Sequence, residues 1–198
     1  MRQSKARSTR AFAAIPFIFA VQQITEGYSW LGLSNPGYYS WNQIPAYIFL
    51  VFSHVVWPIW MPFSMMIIEK DVLRKKIITI LFAAGVLLAA YHVYYIIAFG
   101  AQGAIVSCHI DYNTFFPKRF DAAASLVYGL VTVIPFFVSG IKRMWFFGLA
   151  LIVSYFVSKI FYEEYLVSVF CFFAAILSLI IFVILNRLNK TVLSVNQP

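Results

Sequence analysis

The sequence has few charged residues, few acidic residues and few cysteines. Only 11% of its 198 residues are charged and 62% are hydrophobic, whereas a soluble domain has about 25% charged residues. A chain of this length exposes a large share of its surface, so these apolar side chains cannot all be hidden in one core. The composition excludes a soluble enzyme and a disordered region. Two cysteines are too few for a secreted disulfide scaffold.

The net charge is +8, with seven Asp and Glu against 15 Lys and Arg. The basic residues lie in short clusters between long apolar runs, and no basic arm is long enough to neutralise many phosphates. We therefore expect no nucleic-acid partner. Clusters of this kind are typical of orientation signals in membrane proteins that contact anionic lipid headgroups.

The long apolar runs predict an all-α, polytopic transmembrane helix bundle. A helix that crosses the hydrocarbon layer needs about 20 predominantly apolar residues, and these runs lack the alternation of a membrane β-barrel. Six spans in a single integral membrane domain account for most of residues 1–198. The predicted spans are Phe12–Leu33, Ile44–Ile68, Ile77–Phe99, Ala122–Ile141, Met144–Phe161 and Leu166–Leu185.

The positions of Lys and Arg predict the orientation of the bundle. Twelve of the 15 lie in the segments 1–10, 70–76, 142–143 and 187–190, which fall on one side of a six-span chain. Because cytoplasmic connections are enriched in Lys and Arg, we expect both termini in the cytoplasm of a bacterium and the bundle in its inner membrane. The partner expected from this arrangement is the lipid bilayer, with another membrane protein or a second copy of the chain left open.

Polar residues inside the predicted spans are the candidates for a functional site. Glu26 follows Gln22 and Gln23 at helical spacing, so the three side chains share one face of the first helix. His54 and His92 lie at a similar depth on the second and third helices. Ionisable groups are costly inside a bilayer and mark functional sites by default, so these residues are candidates for a site that binds a small polar ligand.

Aromatic residues beside the histidines extend this candidate site. Trp57 lies close to two prolines that bend the second helix, Pro58 and Pro62. Tyr91 directly precedes His92 and presents a hydroxyl to the same cavity, or alternatively to the outer headgroups. Each of these residues also has a purely structural interpretation, in which the polar groups hold neighbouring helices together.

Three functions remain open. The first is binding, sensing or transport of a small polar ligand; the second is an accessory or structural subunit whose polar groups serve helix contacts. The third is a lipid-modifying enzyme that uses His and Glu as acid and base. No nucleophile–base motif occurs, so catalytic residues are not assigned. Cys108, His109 and Asp111 are too few for a metal site, and no cofactor is expected. A disulfide between Cys108 and Cys171 would need an oxidising outer compartment.

Four segments resemble an uncharacterised family of bacterial multi-pass membrane proteins. They are Phe19–Leu33 (FAVQQITEGYSWLGL), with the pattern Q-Q-x-x-E-G-x-x-W, Trp57–Glu69 (WPIWMPFSMMIIE), His109–Tyr112 (HIDY) and Ser168–Ser178 (SVFCFFAAILS). The resemblance implies a membrane location and a helical fold, and no activity. Members of that family carry a further apolar segment before the first motif. We therefore expect either a start placed late in this sequence or a shorter, six-helix relative.

Overall fold

The computed structural model describes residues 10–35, 37, 43–106, 109–141 and 144–161, together with residues 171, 173 and 181. These residues form five helices and one β-hairpin. In chain order the elements are α1 (Ile15–Ser34), α2 (Ile44–Ile68), α3 (Val72–Phe99), β1 (Ala101–Val106), β2 (His109–Thr114), α4 (Lys118–Val138) and α5 (Met144–Phe161).

The structure is mostly helical, and two of its helices are long and apolar enough to cross a membrane. These are α2 and α3; core helices of soluble proteins can meet the same criterion. Shorter apolar helices cover 122–138 and 144–160, where the fourth and fifth spans are predicted. Helix α1 covers most of the first predicted span, and its polar residues lower its hydropathy. The sixth predicted span, 166–185, lies almost entirely outside the described residues.

The structure is mostly helical, as predicted, but the connection between α3 and α4 contains two strands that the sequence pattern does not predict. Strands β1 and β2 pair there as an antiparallel hairpin, in a register that sets Ala101 opposite Thr114 and Val106 opposite His109. Helix α3 ends at Gly100, whose φ of 77° lies in a region that favours glycine. The chain then continues in the extended conformation, and the two strands satisfy each other's backbone groups.

The hairpin is attached to the beginning of α2 by side chains that bind its backbone. The Gln43 amide donates to the Gly103 carbonyl at 3.2 Å and accepts from the Gly103 N–H at 3.0 Å. The Tyr47 hydroxyl accepts a hydrogen bond from the Ala101 N–H at 3.0 Å. A Cβ atom on Gly103 would lie 3.2 Å from the Cβ atom of Ala46, so the strand packs closely on the helix. These contacts hold the hairpin across one end of the bundle.

The main core lies between α1, α2, α3, α4 and α5. Phe12 and Phe147 meet edge to face at 6.5 Å between ring centroids, and Phe136 and Phe147 meet in the same way at 5.0 Å. Such pairs stabilise a core beyond the burial of their area. The buried members of this core are Phe12, Ile15, Phe19, Trp57, Met61, Met65, Ile78, Phe136, Met144, Phe147, Leu151 and Ile181.

Helix α2 contains a widened, π-helical turn over Phe52–Val56, where each backbone hydrogen bond joins residues five apart instead of four apart. Pro58 follows this turn, and Pro62 lies within the helix one turn later. Because proline has no N–H, Pro62 leaves the Pro58 carbonyl without its usual helical donor. That carbonyl packs against α3 at Gly85, where a Cβ atom would collide with it. Glycine at position 85 is therefore what allows α2 and α3 to approach this closely.

At the end of the bundle opposite the hairpin, Glu69 joins two connections. Its carboxylate accepts hydrogen bonds from the N–H groups of Lys70 at 2.9 Å, Asp71 at 3.1 Å and Gly140 at 2.7 Å. These bonds hold the pKa of Glu69 below its ordinary value, against the opposing effect of burial. The turn between α2 and α3 is thereby fixed to the turn between α4 and α5.

Candidate functional site

The first polar cluster forms where α1 faces α2. The side chain of Gln22 is fully buried, and its oxygen accepts a hydrogen bond of 2.6 Å from the indole Nε1 of Trp57. Its Nε2 atom donates to the thiol sulfur of Cys171 at 3.1 Å. Gln22 therefore links α1 both to α2 and to a residue far along the chain, using both ends of its amide.

Glu26 lies one turn beyond Gln22 on the same face of α1. Its side chain is only 6% exposed, and Gln23 Nε2 donates to its Oε2 at 3.3 Å. Gln22 and Glu26 point to the same side because residues four apart are neighbours on a helix. The cluster consequently places a carboxylate inside an otherwise apolar bundle.

The hairpin adds a phenol to this cluster. The hydroxyl of Tyr112 is buried and has no hydrogen-bond partner of good geometry within the described part of the chain, although Ser29 lies close enough to lower its pKa slightly. The pKa of Tyr112 is raised, first because burial disfavours the phenolate and second because the negative charge of Glu26 opposes its ionisation. Tyr112 is therefore a neutral hydrogen-bond donor at the pH of a cell, and it lies close enough to Glu26 for the charge of the carboxylate to act on it.

Aromatic stacking fixes the side chains that surround the first cluster. Phe19 stacks on Trp57 with ring centroids 3.9 Å apart, which orients the indole N–H towards Gln22. Phe49 stacks on Tyr112 at 4.6 Å, which holds the phenol over the beginning of α2. Because stacked rings can adopt few other rotamers, the polar atoms of these side chains are held in fixed positions.

The second polar cluster surrounds the widened turn of α2 and contains both histidines. The Nδ1 atom of His92 lies 3.0 Å from the His54 carbonyl, so Nδ1 carries the proton. The rings of His54 and His92 meet edge to face with centroids 5.1 Å apart. The Nδ1 atom of His54 also lies 2.8 Å from the Ser53 hydroxyl. The structure thus brings the two histidines together, at the point where α2 departs from regular helix.

Pro58 explains why these hydrogen bonds form. The carbonyls of Ser53 and His54, five and four residues before Pro58, cannot receive a hydrogen bond from it. His92 donates to the His54 carbonyl, and the Tyr128 hydroxyl donates to the Ser53 carbonyl at 2.6 Å. Donors from α3 and α4 therefore replace the missing helical donor, as a buried carbonyl requires.

Tyr91 lies at the edge of the second cluster, next to the segment that leaves the hairpin. Its ring centroid is 5.6 Å from that of His92 and 4.8 Å from that of Tyr95. Phe116, which follows β2, lies 5.0 Å from His92 and 5.5 Å from His54. Aromatic rings therefore surround the two histidines on the side of the hairpin.

Sequence reasoning missed several residues of these clusters. Cys171 was considered only as a disulfide partner, yet it is a buried free thiol next to Gln22. Tyr112 belongs to the HIDY segment, which was used for the family resemblance and for candidate metal ligands but not for the polar site. Tyr128 lies on an apolar face of α4. The sequence indicates it only indirectly, because Pro58 leaves carbonyls of α2 without a donor and a neighbouring helix must supply one.

The segment considered for a metal site does not gather further ligands. His109 and Asp111 lie on β2, and Cys108 is outside the described residues. Among the residues that the structure describes, no group of three or more His, Cys, Asp or Glu side chains is placed to hold a metal ion.

Comparison with known proteins identifies the family and nothing more specific. The chain belongs to a family of unknown function, DUF6629, whose family model matches residues 1–195. No curated protein matches the chain, and no solved structure does.

Proposed function

We propose that this member of the DUF6629 family is an integral membrane protein that binds a small polar ligand beside Glu26, beneath the β1–β2 hairpin. Binding at this position would serve sensing or transport. The ligand would meet the Glu26 carboxylate and the Tyr112 hydroxyl, within reach of Gln22 and Trp57. Gln23 would orient the carboxylate from the same helix.

The observation that carries the proposal is the hydroxyl of Tyr112. It is buried without a hydrogen-bond partner in the described part of the chain, and such groups are rare unless a water, ion or ligand satisfies them. Next to it lies a carboxylate that is 6% exposed. A molecule that accepts from the phenol would satisfy the hydroxyl, and a donor on the same molecule could add a hydrogen bond to the carboxylate, which already accepts one from Gln23.

The membrane part of the proposal places six spans in the inner membrane of a bacterium, with both termini in the cytoplasm. It is supported by the apolar helices α2 and α3, by the positions of Lys and Arg along the sequence, and by the resemblance of the Q-Q-x-x-E-G-x-x-W segment. Purification without detergent would contradict it, as would a reporter fused to Pro198 that is active outside the cytoplasm.

The accessory-subunit function is the second candidate, because several polar groups are used entirely in contacts between helices. Gln22 uses both ends of its amide on Trp57 and Cys171. His92 and Tyr128 donate hydrogen bonds to the carbonyls that Pro58 leaves without a donor. If water cannot reach Glu26, no polar ligand can reach it either, and the polar groups serve only to hold the helices together.

The reactivity of Cys171 distinguishes the two functions. In a Cys108→Ser background, the thiol would be treated in the folded protein with a positively charged and a neutral methanethiosulfonate reagent of equal size. A hydrated path to Glu26 predicts that the cationic reagent reacts about fivefold faster, since an opposite charge at about 4 Å contributes about 1 kcal/mol in water.

Glu26→Gln is the matched variant in this experiment, because it keeps the shape of the side chain and removes its charge. The rate difference between the two reagents should disappear in this variant, while both reagents still react. If Cys171 is inert in the folded protein and reactive only after unfolding, the site is sealed. That result would favour the accessory subunit.

A further inference from the structure

The turn between α2 and α3 exposes apolar and basic side chains together. Val72 is 83% exposed and Leu73 is 69% exposed, although both are aliphatic. Lys70, Lys75 and Lys76 surround them and are exposed as well. We call these five residues the basic turn. Aliphatic side chains this exposed are unfavourable in water. Next to cations, they are suited to a surface that is both apolar and negatively charged.

Of the two carboxylates in the same segment, Glu69 is buried and Asp71 is exposed, so the three lysines outnumber the one acidic side chain on this surface. Glu69 is 7% exposed, and three backbone N–H groups bind its carboxylate. Asp71 accepts a hydrogen bond from the Arg74 N–H at 2.9 Å and caps α3. The same hydrogen bonds fix the backbone of the turn, so the lysines are presented from a rigid support.

The length of α3 places the basic turn outside the hydrocarbon layer. Its 28 residues extend over about 42 Å at about 1.5 Å per residue. The hydrocarbon layer is about 30 Å thick, so roughly 12 Å of the helix must lie in a headgroup region. The beginning of α3 carries the lysines, whereas its end at Phe99 is apolar. The beginning is therefore the end that projects into the headgroups.

We infer that the basic turn binds the headgroups of anionic phospholipids, with its lysines on the phosphates and with Val72 and Leu73 inserted at the boundary with the acyl chains. The inference depends on the membrane insertion proposed above, and it is independent of the site at Glu26. Each basic side chain near an anionic leaflet strengthens binding by a similar increment. Removal of three lysine charges should therefore weaken binding about 100-fold.

Native mass spectrometry of the full chain in detergent micelles would measure this binding, with phosphatidylglycerol and phosphatidylcholine of the same acyl chains as probes. We expect the wild type to bind phosphatidylglycerol with marked preference. The triple variant K70Q/K75Q/K76Q should lose that preference, and V72Q/L73Q should bind both lipids less well. Glutamine is a good helix former, so α3 is retained.

Lys159→Gln is the matched control, because it removes an exposed lysine at the end of α5; it should leave the preference unchanged. Binding by the wild type should also fall as NaCl is raised from about 0.05 to about 0.5 M, because exposed charges are screened. Equal binding of the two lipids, a triple variant that keeps the preference, or displacement of the lipid by inorganic phosphate would overturn the inference. A chain that is stable without detergent would instead overturn membrane insertion.

Discussion

Glu69→Gln should destabilise the protein and remove part of the dependence of its stability on acid. Two N–H groups donate to Oε1 of Glu69 and one to Oε2. An amide replaces one oxygen by an NH₂ group, so at least one N–H loses its acceptor and the others lose a charged one. A hydrogen bond to a charged group contributes about 1.5–3 kcal/mol, so we expect a loss of about 2–4 kcal/mol.

The effect of pH follows from the lowered pKa of Glu69. A carboxyl whose pKa is lower in the folded protein stabilises it above the ordinary value of 4.5. That stabilisation is lost as the pH falls below 4.5 and through the pKa of the folded protein, where the carboxylate is protonated. The wild type should therefore lose stability in this range, and Glu69→Gln should lose less of it.

The assay is unfolding in mild detergent, followed by tryptophan fluorescence at pH values from 7 to about 3. Asp71→Asn is the control, because asparagine also caps helices and only a carboxylate is removed; its stability at pH 7 should change by less than about 0.5 kcal/mol. If Glu69→Gln unfolds with the same free energy as the wild type at pH 7, the bonds to the two turns contribute nothing and the reasoning fails.

Three further predictions follow from the packing and the hydrogen bonds. Gly85→Ala would force α2 and α3 apart and lower the thermal unfolding temperature, whereas Gly129→Ala, which meets open space, should not; equal effects would contradict the close approach. A double-mutant cycle of Gln22→Leu and Trp57→Phe should give a coupling of about 0.6–1.7 kcal/mol in unfolding experiments, and strict additivity would show that the 2.6 Å bond contributes nothing. Tyr112→Phe should leave the unfolding temperature unchanged or raised, since its hydroxyl has no partner among the described residues; a clear loss would reveal a hidden structural bond.

The local part of the candidate site was predictable from the sequence, and its tertiary part was not. Helical spacing alone places Gln22 and Glu26 on one face, because that relation depends only on residues four apart. Which helix this face meets depends on packing, and the bond to Trp57 has no signature in either segment. Cys171 was harder still, because a thiol among apolar residues looks like any other core residue.

The hairpin shows how a connection can be misjudged. Its strands have six residues each, and no Asn-Gly or Asp-Gly pair marks a tight turn between them. Strand β2 pairs with β1, and β1 is bound by Gln43 and Tyr47, which lie 60 and 54 residues before their partners in the chain. Because distant side chains stabilise this strand, its own sequence needs only a weak strand propensity. The sequence of the segment is therefore more typical of a loop.

The way each buried polar atom is used separates a structural contact from a binding site. Pro58 makes donors at His92 and Tyr128 necessary for folding, because the carbonyls opposite them would otherwise be buried without partners. Gln22 is used in the same manner at both ends. Tyr112 differs, since its buried hydroxyl has no hydrogen-bond partner of good geometry among the described residues, and a phenylalanine would fill the same space. A buried polar atom without a partner of good geometry, within the electrostatic influence of a buried carboxylate, is the arrangement expected of a group that serves a ligand.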